Sequence, residues 1–397
     1  MSFGNFGDYI RYAYENSPAV REKFAGAGIK PKDVRTVKDL PRLPVTRKSE
    51  LSARQREAPP FGGFLAVPLQ RVQRIFASPG PIYDPQGEGE DYWRWGEALT
   101  AAGFKAGDIV QNTFSYHLTP AGFMFDSALR SLGCTVVPAG VGNTELQAQI
   151  MRDLRVNGYI GVPSFLYALV KKAEEQGFVS ELVLRRAWIT AERLSEELRE
   201  LLLKQYGISV YQGYGTADTG CVAYECLEKK GLHLARDVVV EIVDPQTGQP
   251  VPDGDTGEIV ITLMVATYPL LRLASGDLGA FITEPCPCGR PGKRLVGILG
   301  RAAAGVKVRG LFLYPHQVSE LAAEFKEVRS MRAVVTQKEF RDELTLEVEL
   351  NRDAEESLEL TKAIAARAKD RLRLKTQVVV VPPGTVTVSD AMILDKR

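Results

Sequence analysis

The sequence has no run approaching about eighteen apolar residues, so no segment is expected to span a bilayer. Neither sign of charge dominates: 50 Lys and Arg stand against 49 Asp and Glu. That balance removes the field by which a basic protein attracts nucleic acid or an anionic membrane. No low-complexity tract interrupts a composition that is 45% hydrophobic and 25% charged. The start, MSFGNFGDYI, has neither the basic opening nor the apolar stretch of a secretory signal, and a cytoplasmic location is the expectation. Cysteine is scarce, and its number, five, is odd. In a long chain without an export signal this favours reduced thiols or a metal over disulfides.

A chain of 397 residues exceeds one ordinary core, so two or more domains are expected. Residues 1–60 read as short helices broken by prolines, packed through aromatic and aliphatic residues at helical spacing. Strands and helices then alternate. VQRIFAS, DIVQNTF, TVVPAG, YIGVPS and RRAWIT read as strands. EDYWRWGEALTAAGF, FMFDSALRSLGC, TELQAQIMRDLRVN, FLYALVKKAEEQG and LSEELRELLLKQY read as helices. Such alternation gives an α/β fold with a mostly parallel sheet, whose ligands bind beyond the strand C-termini. Near residue 232 the texture changes to two strands around turn-rich segments, an antiparallel β-subdomain spanning about 220–300. After residue 301, strands, a long amphipathic helix over 354–372 and QVVVV make a small α+β unit. The expected division is 1–300 and 301–397.

Three cysteines and one of the three histidines form a pattern: Cys226, His233, then Cys286 and Cys288 in a Cys-Pro-Cys-Gly turn. Four such ligands suit tetrahedral zinc, and a site with every position filled by protein is structural rather than hydrolytic. The alternative is a set of buried thiols with a surface histidine. Cys221 is a substitute ligand, and Cys134 reads as a core thiol.

The ordered motifs PAGVGNTELQAQIMRDL, ITAE, YQGYGTAD, VDPQTGQPVPDGDTGEIVIT, YPLLRLASGDLG, PCPCGR and GRAAAGVKVRGLFLYP, with a closing PPGT…DKR, resemble the phenylacetate–CoA ligase branch of the adenylate-forming (AMP-forming) acyl-CoA synthetases. The resemblance runs from about residue 5 to the C-terminus. It implies a large adenylate-binding domain and a small mobile one. It also implies formation of an acyl-adenylate from ATP and an aromatic or small carboxylic acid with Mg²⁺, then acyl transfer to coenzyme A. Relatives carry the Cys/His pattern as a structural zinc site, and similar proteins commonly pair their front domains as homodimers.

Carried over residue by residue, the resemblance puts Tyr214, Gly215 and Thr216 in the adenine-side loop and Asp218 at the magnesium position. Asp277 falls at the ribose aspartate, Arg301 at the arginine beyond it, and Lys307 in the segment that follows. Ala191 and Glu192 match a loop beside the adenine and acyl pocket, and Tyr116 and His117 border the acyl site. Phe114, Tyr116 and Phe123 allow an aryl acid and equally fit core packing. Taken alone, Asp277 also reads as a turn cap, and Arg301 and Arg309 as surface charges.

Four departures stand beside these matches. The expected phosphate loop is Ala77-Ser78-Pro79-Gly80-Pro81-Ile82-Tyr83-Asp84-Pro85, which keeps Ser78 and Gly80 but offers no lysine and few donors. Ala217 replaces a hydroxyl, and Ala304 replaces an acidic hinge residue. Ala391 and Met392 stand where a lysine is usual, and Lys396 matches a later one. They keep open a second reading, a relative that binds AMP, acyl-adenylate or acyl-CoA without full ligase activity.

Overall fold

The computed structural model describes residues 3–78, 81–302, 306–309, 311–313, 315–351, 354, 357–372, 374–386 and 392–397. The chain divides into two compact units, one of Met1–Thr190 with Arg199–Ala302, the other of Ala191–Leu198 with Ala303–Arg397. No helix among the described residues is long and apolar enough to cross a membrane.

The first unit opens with two short helices whose starts are fixed locally. Asn5 accepts the Asp8 N–H to cap the helix Phe6–Asn16. Ser17 caps the helix Pro18–Gly26, where Pro18 at the first position gives up an N–H that has no helical partner. Tyr9, Ile10, Ala13, Val20 and Phe24 pack beneath them with Val34, Leu40 and Leu43.

The strand–helix alternation builds a nine-stranded sheet. Five strands run parallel, in the spatial order Thr135–Pro138, Ile109–Asn112, Gly158–Gly161, Arg186–Ile189, Ser209–Thr216. Ile109–Asn112 comes first in the chain and is flanked by later strands on both sides, so the order reverses there. Its C-terminal end opens at a switch point, where the diverging connections leave a crevice. Val110, Ile160, Trp188 and Val210 are fully buried in this sheet. Gly220–Tyr224, Leu232–Leu234, Arg294–Leu295 and Phe281–Ile282 extend it with antiparallel pairing.

The turn-rich stretch after residue 232 forms the antiparallel pair Val238–Val243 and Gly257–Leu263. That pair belongs to a second, five-stranded sheet with Leu273–Gly279, Gly300–Arg301 and Thr46–Arg47. Residues 220–300 are thus shared between two sheets. Pro85 of the expected phosphate loop sits within a separate two-stranded hairpin, Arg74–Ser78 paired with Ile82–Gln86, and Pro81 stands just before its second strand. An isolated hairpin tolerates Pro85 because each strand is paired on one side only, so a missing N–H need not break a ladder.

The second unit carries a four-stranded sheet in the order Gln377–Val380, Arg341–Leu350, Val328–Lys338, Ile393–Asp395. The helix Leu358–Leu372 buries Ile364, Ala368 and Leu372, four residues apart, against it. A shorter helix, Pro315–Ala323, adds Val318 and Leu321 to the same core.

Candidate functional site

The strand Ser209–Thr216 leaves the parallel part of the large sheet and turns back through residues 217–219 into Gly220–Tyr224. Its glycines are a packing requirement. A Cβ on Gly215 would lie 2.3 Å from the Gly220 carbonyl oxygen and 2.7 Å from the Trp95 ring; one on Gly213 would meet Trp188 at 2.5 Å. The close approach seats the backbone on two indoles and fixes the direction of Tyr214.

Tyr214 is buried, and its hydroxyl donates to Asp277 Oδ2 at 2.8 Å. Asp277 sits in Leu273–Gly279 directly opposite Arg301, whose Nη1 lies 2.8 Å from Asp277 Oδ1. The backbone N–H of Asp277 donates to Ser275 Oγ at 3.1 Å. Burial, reinforced by the Asp277 charge, pushes the Tyr214 hydroxyl well above the usual phenol range, so it stays protonated and donates. Three residues from three separate motifs thus meet at one carboxylate.

Asp218 lies in the turn after Tyr214 and is buried. Its carboxylate touches the Thr216 hydroxyl and faces Lys48 Nζ at 3.0 Å. Thr216 also contacts Thr219 at 2.6 Å between hydroxyls. Lys48 is a residue that motif reasoning passes over, because residues 1–60 look like packing helices. It begins the helix Lys48–Glu57, delivered by the short strand Thr46–Arg47 pairing alongside Leu273–Gly279. A signal was available: a lysine in the first turn sits at the positive end of the helix dipole, which argues for an acidic partner elsewhere in the fold.

The Ser78 hydroxyl donates to the Ile82 carbonyl at 3.3 Å across the hairpin. Gly80 lies outside the described residues. Ala77 N–H donates to the Leu118 carbonyl at 2.9 Å, which ties the hairpin to the segment after Ile109–Asn112. In that segment His117 is exposed, and the Tyr116 hydroxyl accepts from Asn112 Nδ2 at 2.9 Å. Phe123 meets Tyr116 edge-on at 5.2 Å and Phe76 at 5.6 Å, while Phe114 stacks on Phe125 at 5.3 Å.

Ala191 and Glu192 belong to the second unit. Ala191 has φ 75°, a left-handed conformation that costs a residue with a Cβ roughly 1–2 kcal/mol. Lys307 pairs with Phe312 in the strand Val306–Val308; its side chain lies outside the described part of the structure. Arg309 is not a loose surface charge: its Nε donates to the Asp342 carbonyl at 2.7 Å and its backbone N–H to the Asp342 carboxylate at 3.1 Å. Ala304 and Ala391 lie outside the described residues, and Lys396 is exposed after the strand Ile393–Asp395.

Cys226, His233, Cys286 and Cys288 converge, with one ligand atom from each lying within 4.8 Å of all the others. The Cys226 and Cys286 sulfurs are 3.8 Å apart, and Cys288 Sγ is 3.4 Å from His233 Nε2. The antiparallel extension of the large sheet brings them together, with His233 opposite both Tyr224 and Arg294. Burial, then Arg290 and Arg294, lower the His233 pKa and keep its imidazole neutral. Burial raises the Cys288 thiol, but the Arg290 N–H and the neighbouring sulfurs outweigh it and bring it to about 7. A neutral imidazole and a readily ionised thiol are the forms that ligate a soft divalent metal. Cys221 lies outside this group, fully buried, with Arg94 nearby. Cys134 is a buried thiol donating to the Lys105 carbonyl.

Comparisons with known proteins identify the family. The AMP-binding enzyme family profile matches residues 97–263, and that of the AMP-binding enzyme C-terminal domain matches residues 310–397. A phenylacetate-coenzyme A ligase of Thermus thermophilus is 32% identical, over 98% of this chain and 94% of its own. A phenylacetate-coenzyme A ligase of Pseudomonas putida is 31% identical, over 98% and 92%. Among solved structures, a 2-hydroxyisobutyryl-CoA ligase bound to 2-HIB-AMP and CoA superposes with a TM-score of 0.90 at 24% identity, covering 98% of this chain and 87% of that one. An amide bond synthetase from Marinactinospora thermotolerans gives 0.59 at 16% identity, over 79% and 66%. With two relatives above 30% identity along nearly its whole length, the chain belongs to the phenylacetate–coenzyme A ligase family of AMP-binding enzymes.

Proposed function

We propose that the chain is an AMP-forming acid–thiol ligase that activates an aromatic or small carboxylic acid with ATP and passes the acyl group to coenzyme A. In the first half-reaction a carboxylate oxygen of the acid bonds to the α-phosphorus, and the bond to pyrophosphate breaks. In the second, the thiol sulfur bonds to the acyl carbon, the bond to AMP breaks, and the thiol proton passes to solvent.

The observation that carries this reading is the convergence of Tyr214, Asp277 and Arg301. A carboxylate held by a phenol and a guanidinium is an oriented acceptor, suited to taking hydrogen bonds from both ribose hydroxyls. Tyr214, Gly215 and Thr216 would flank the adenine, and Asp218 would hold Mg²⁺ on the phosphates. The aromatic set of Phe76, Tyr116 and Phe123 supports an aryl acid, with His117 beside it. The four-ligand Cys/His group suits a structural Zn²⁺ that closes the end of the large sheet, since four protein ligands complete a tetrahedral site.

A second reading, a binder of AMP, acyl-adenylate or acyl-CoA that does not complete ligation, draws on the hairpin. Its buried positions carry Ile82 and Asp84 where a phosphate cradle would carry hydroxyls and a lysine. Pyrophosphate release with Mg²⁺, CoA and a panel of aryl and short acids separates the two. Acid-dependent release with matching AMP establishes the ligase; tight AMP binding with no release for any acid establishes the binder.

A further inference from the structure

Glu225 stands between the Cys/His group and the strand that carries Tyr214. It follows the strand Gly220–Tyr224 and precedes Cys226, one of the four converging ligands. The residue is buried, and donors surround its carboxylate. Oε1 accepts from Arg199 Nη2 at 2.8 Å and from Gln212 Nε2 at 2.9 Å. Oε2 accepts from Arg199 Nη1 and from the Gln212 backbone N–H, both at 3.0 Å. The Glu225 N–H donates in turn to the Gln212 carbonyl at 2.9 Å. Arg199, also buried, reaches the Val210 carbonyl at 3.0 Å.

Gln212 is the residue at which Ser209–Thr216 changes partner. It pairs in parallel with Ile189, and the next residue, Gly213, pairs in antiparallel with Tyr224. Tyr214, which holds Asp277, comes directly after. His233 also lies opposite Tyr224, so His233, Tyr224 and Gly213 form one row across three strands. At roughly 4.8 Å between neighbouring strands, the row spans about 10 Å. It is tightly seated: a Cβ on Gly213 would meet Trp188 at 2.5 Å and the Ala223 carbonyl oxygen at 3.1 Å.

A bidentate guanidinium–carboxylate pair fixes direction as well as distance. Zn²⁺ on the Cys/His group would fix Cys226, beside Glu225, and His233, opposite Tyr224. That order is also what Tyr214 needs to hold Asp277. A second ligand binds more tightly to a protein in which the first has already set the order both require.

We propose that Glu225 is a positioning residue for the nucleotide site, carrying the occupancy of the Cys/His group to Tyr214, so that zinc and AMP each tighten the binding of the other. The coupling rests on the nucleotide reading of Tyr214 and Asp277 and on zinc at the four ligands. Linkage makes it reciprocal, with the same factor in both directions.

The test is competition for zinc between the zinc-loaded protein and a chromophoric chelator, with and without saturating AMP, beside calorimetric AMP titration. In the parent, AMP should raise zinc affinity at least ~5-fold, the lower end of ordinary coupling between sites. Glu225→Gln alone leaves the Arg199 charge buried without its partner, so the variant used combines it with Arg199→Met. Gln212→Ala is a milder second variant that keeps the ion pair. The double variant should bind both ligands with a factor of about 2 or less, and Gln212→Ala should fall between it and the parent. An unchanged factor in either variant overturns the proposal, because linkage through overall folding would survive both substitutions. A parent that binds AMP with its zinc affinity unmoved overturns the coupling and leaves the nucleotide reading standing. A parent that binds no AMP, or holds no zinc, overturns the coupling together with the reading it stands on.

Discussion

Lys48 Nζ sits 3.0 Å from Asp218 Oδ2, with the lysine side chain 28% exposed and the aspartate 2%. This ion pair joins the first sixty residues, which otherwise look like a packing layer, to the turn that follows Tyr214. Lys48→Met removes the countercharge and leaves Asp218 buried without it. Breaking a fully buried pair costs about 3–5 kcal/mol. Because Lys48 keeps partial contact with water, the expected loss is about 2 kcal/mol. Urea unfolding should show a lower midpoint, and adding Asp218→Asn to Lys48→Met should restore much of it. An unchanged midpoint in Lys48→Met would show that the pair is electrostatically idle.

The carboxylate of Asp277 is the point at which nucleotide binding should be most sensitive. Each hydrogen bond to a charged group is worth about 1.5–3 kcal/mol, so Asp277→Ala should weaken AMP binding by ~10–100-fold or more. Tyr214→Phe removes one orienting donor and leaves the acceptor, so its loss should stay below ~10-fold. Calorimetric titration with AMP checks both. Equal affinity in Asp277→Ala and the parent would remove Asp277 from the nucleotide site.

Much of the fold is legible in the sequence because local pattern and tertiary environment agree. VVVEIV and GEIVITL pair as an antiparallel ladder, and RRAWIT and YIGVPS lie side by side in the parallel sheet. What local pattern does not contain is register. Nothing within either segment says that Asp277 faces Arg301 across two strands; motif order suggested their kinship, and the sheet supplies the pairing. Lys48 escaped for the same reason, since its partner is 170 positions away. The segment from Ala77 to Pro85 is expected as a phosphate loop from the resemblance, yet its described residues fall in a hairpin that buries Ile82 and Asp84. Proline counts against a central strand, but it does not bar an isolated two-stranded one.

Metal analysis of the purified protein should return about one zinc per chain, the stoichiometry of a closed four-ligand site. Cys286→Ser should lose that zinc and lower the melting temperature by several degrees, because binding to a preformed site contributes directly to folding. Cys221→Ser should retain it, since Cys221 lies outside the cluster. Zinc retained at full stoichiometry in Cys286→Ser would exclude that sulfur as a ligand.

Acid stability of the second unit should depend on Glu349. Its side chain is buried at the end of the strand Arg341–Leu350 and accepts the Val386 N–H. That backbone hydrogen bond, opposed by burial and helped by the Gly384 N–H, Ser330 and Arg329, holds the carboxyl below the usual glutamate range. A folded pKa below the unfolded value of about 4.3 means the contribution is fully present above that pH. It is lost as pH falls through the lower, folded value. Glu349→Gln keeps the shape but not the charge, so it should unfold at lower urea than the parent at neutral pH. The gap should narrow between neutral and acid pH, as the parent's carboxyl takes up its proton below the usual glutamate range. Tryptophan is confined to the first unit, so circular dichroism of the whole chain, read beside tryptophan fluorescence, separates the two transitions. A gap of equal size at both pH values would assign Glu349 a role in packing rather than in charge.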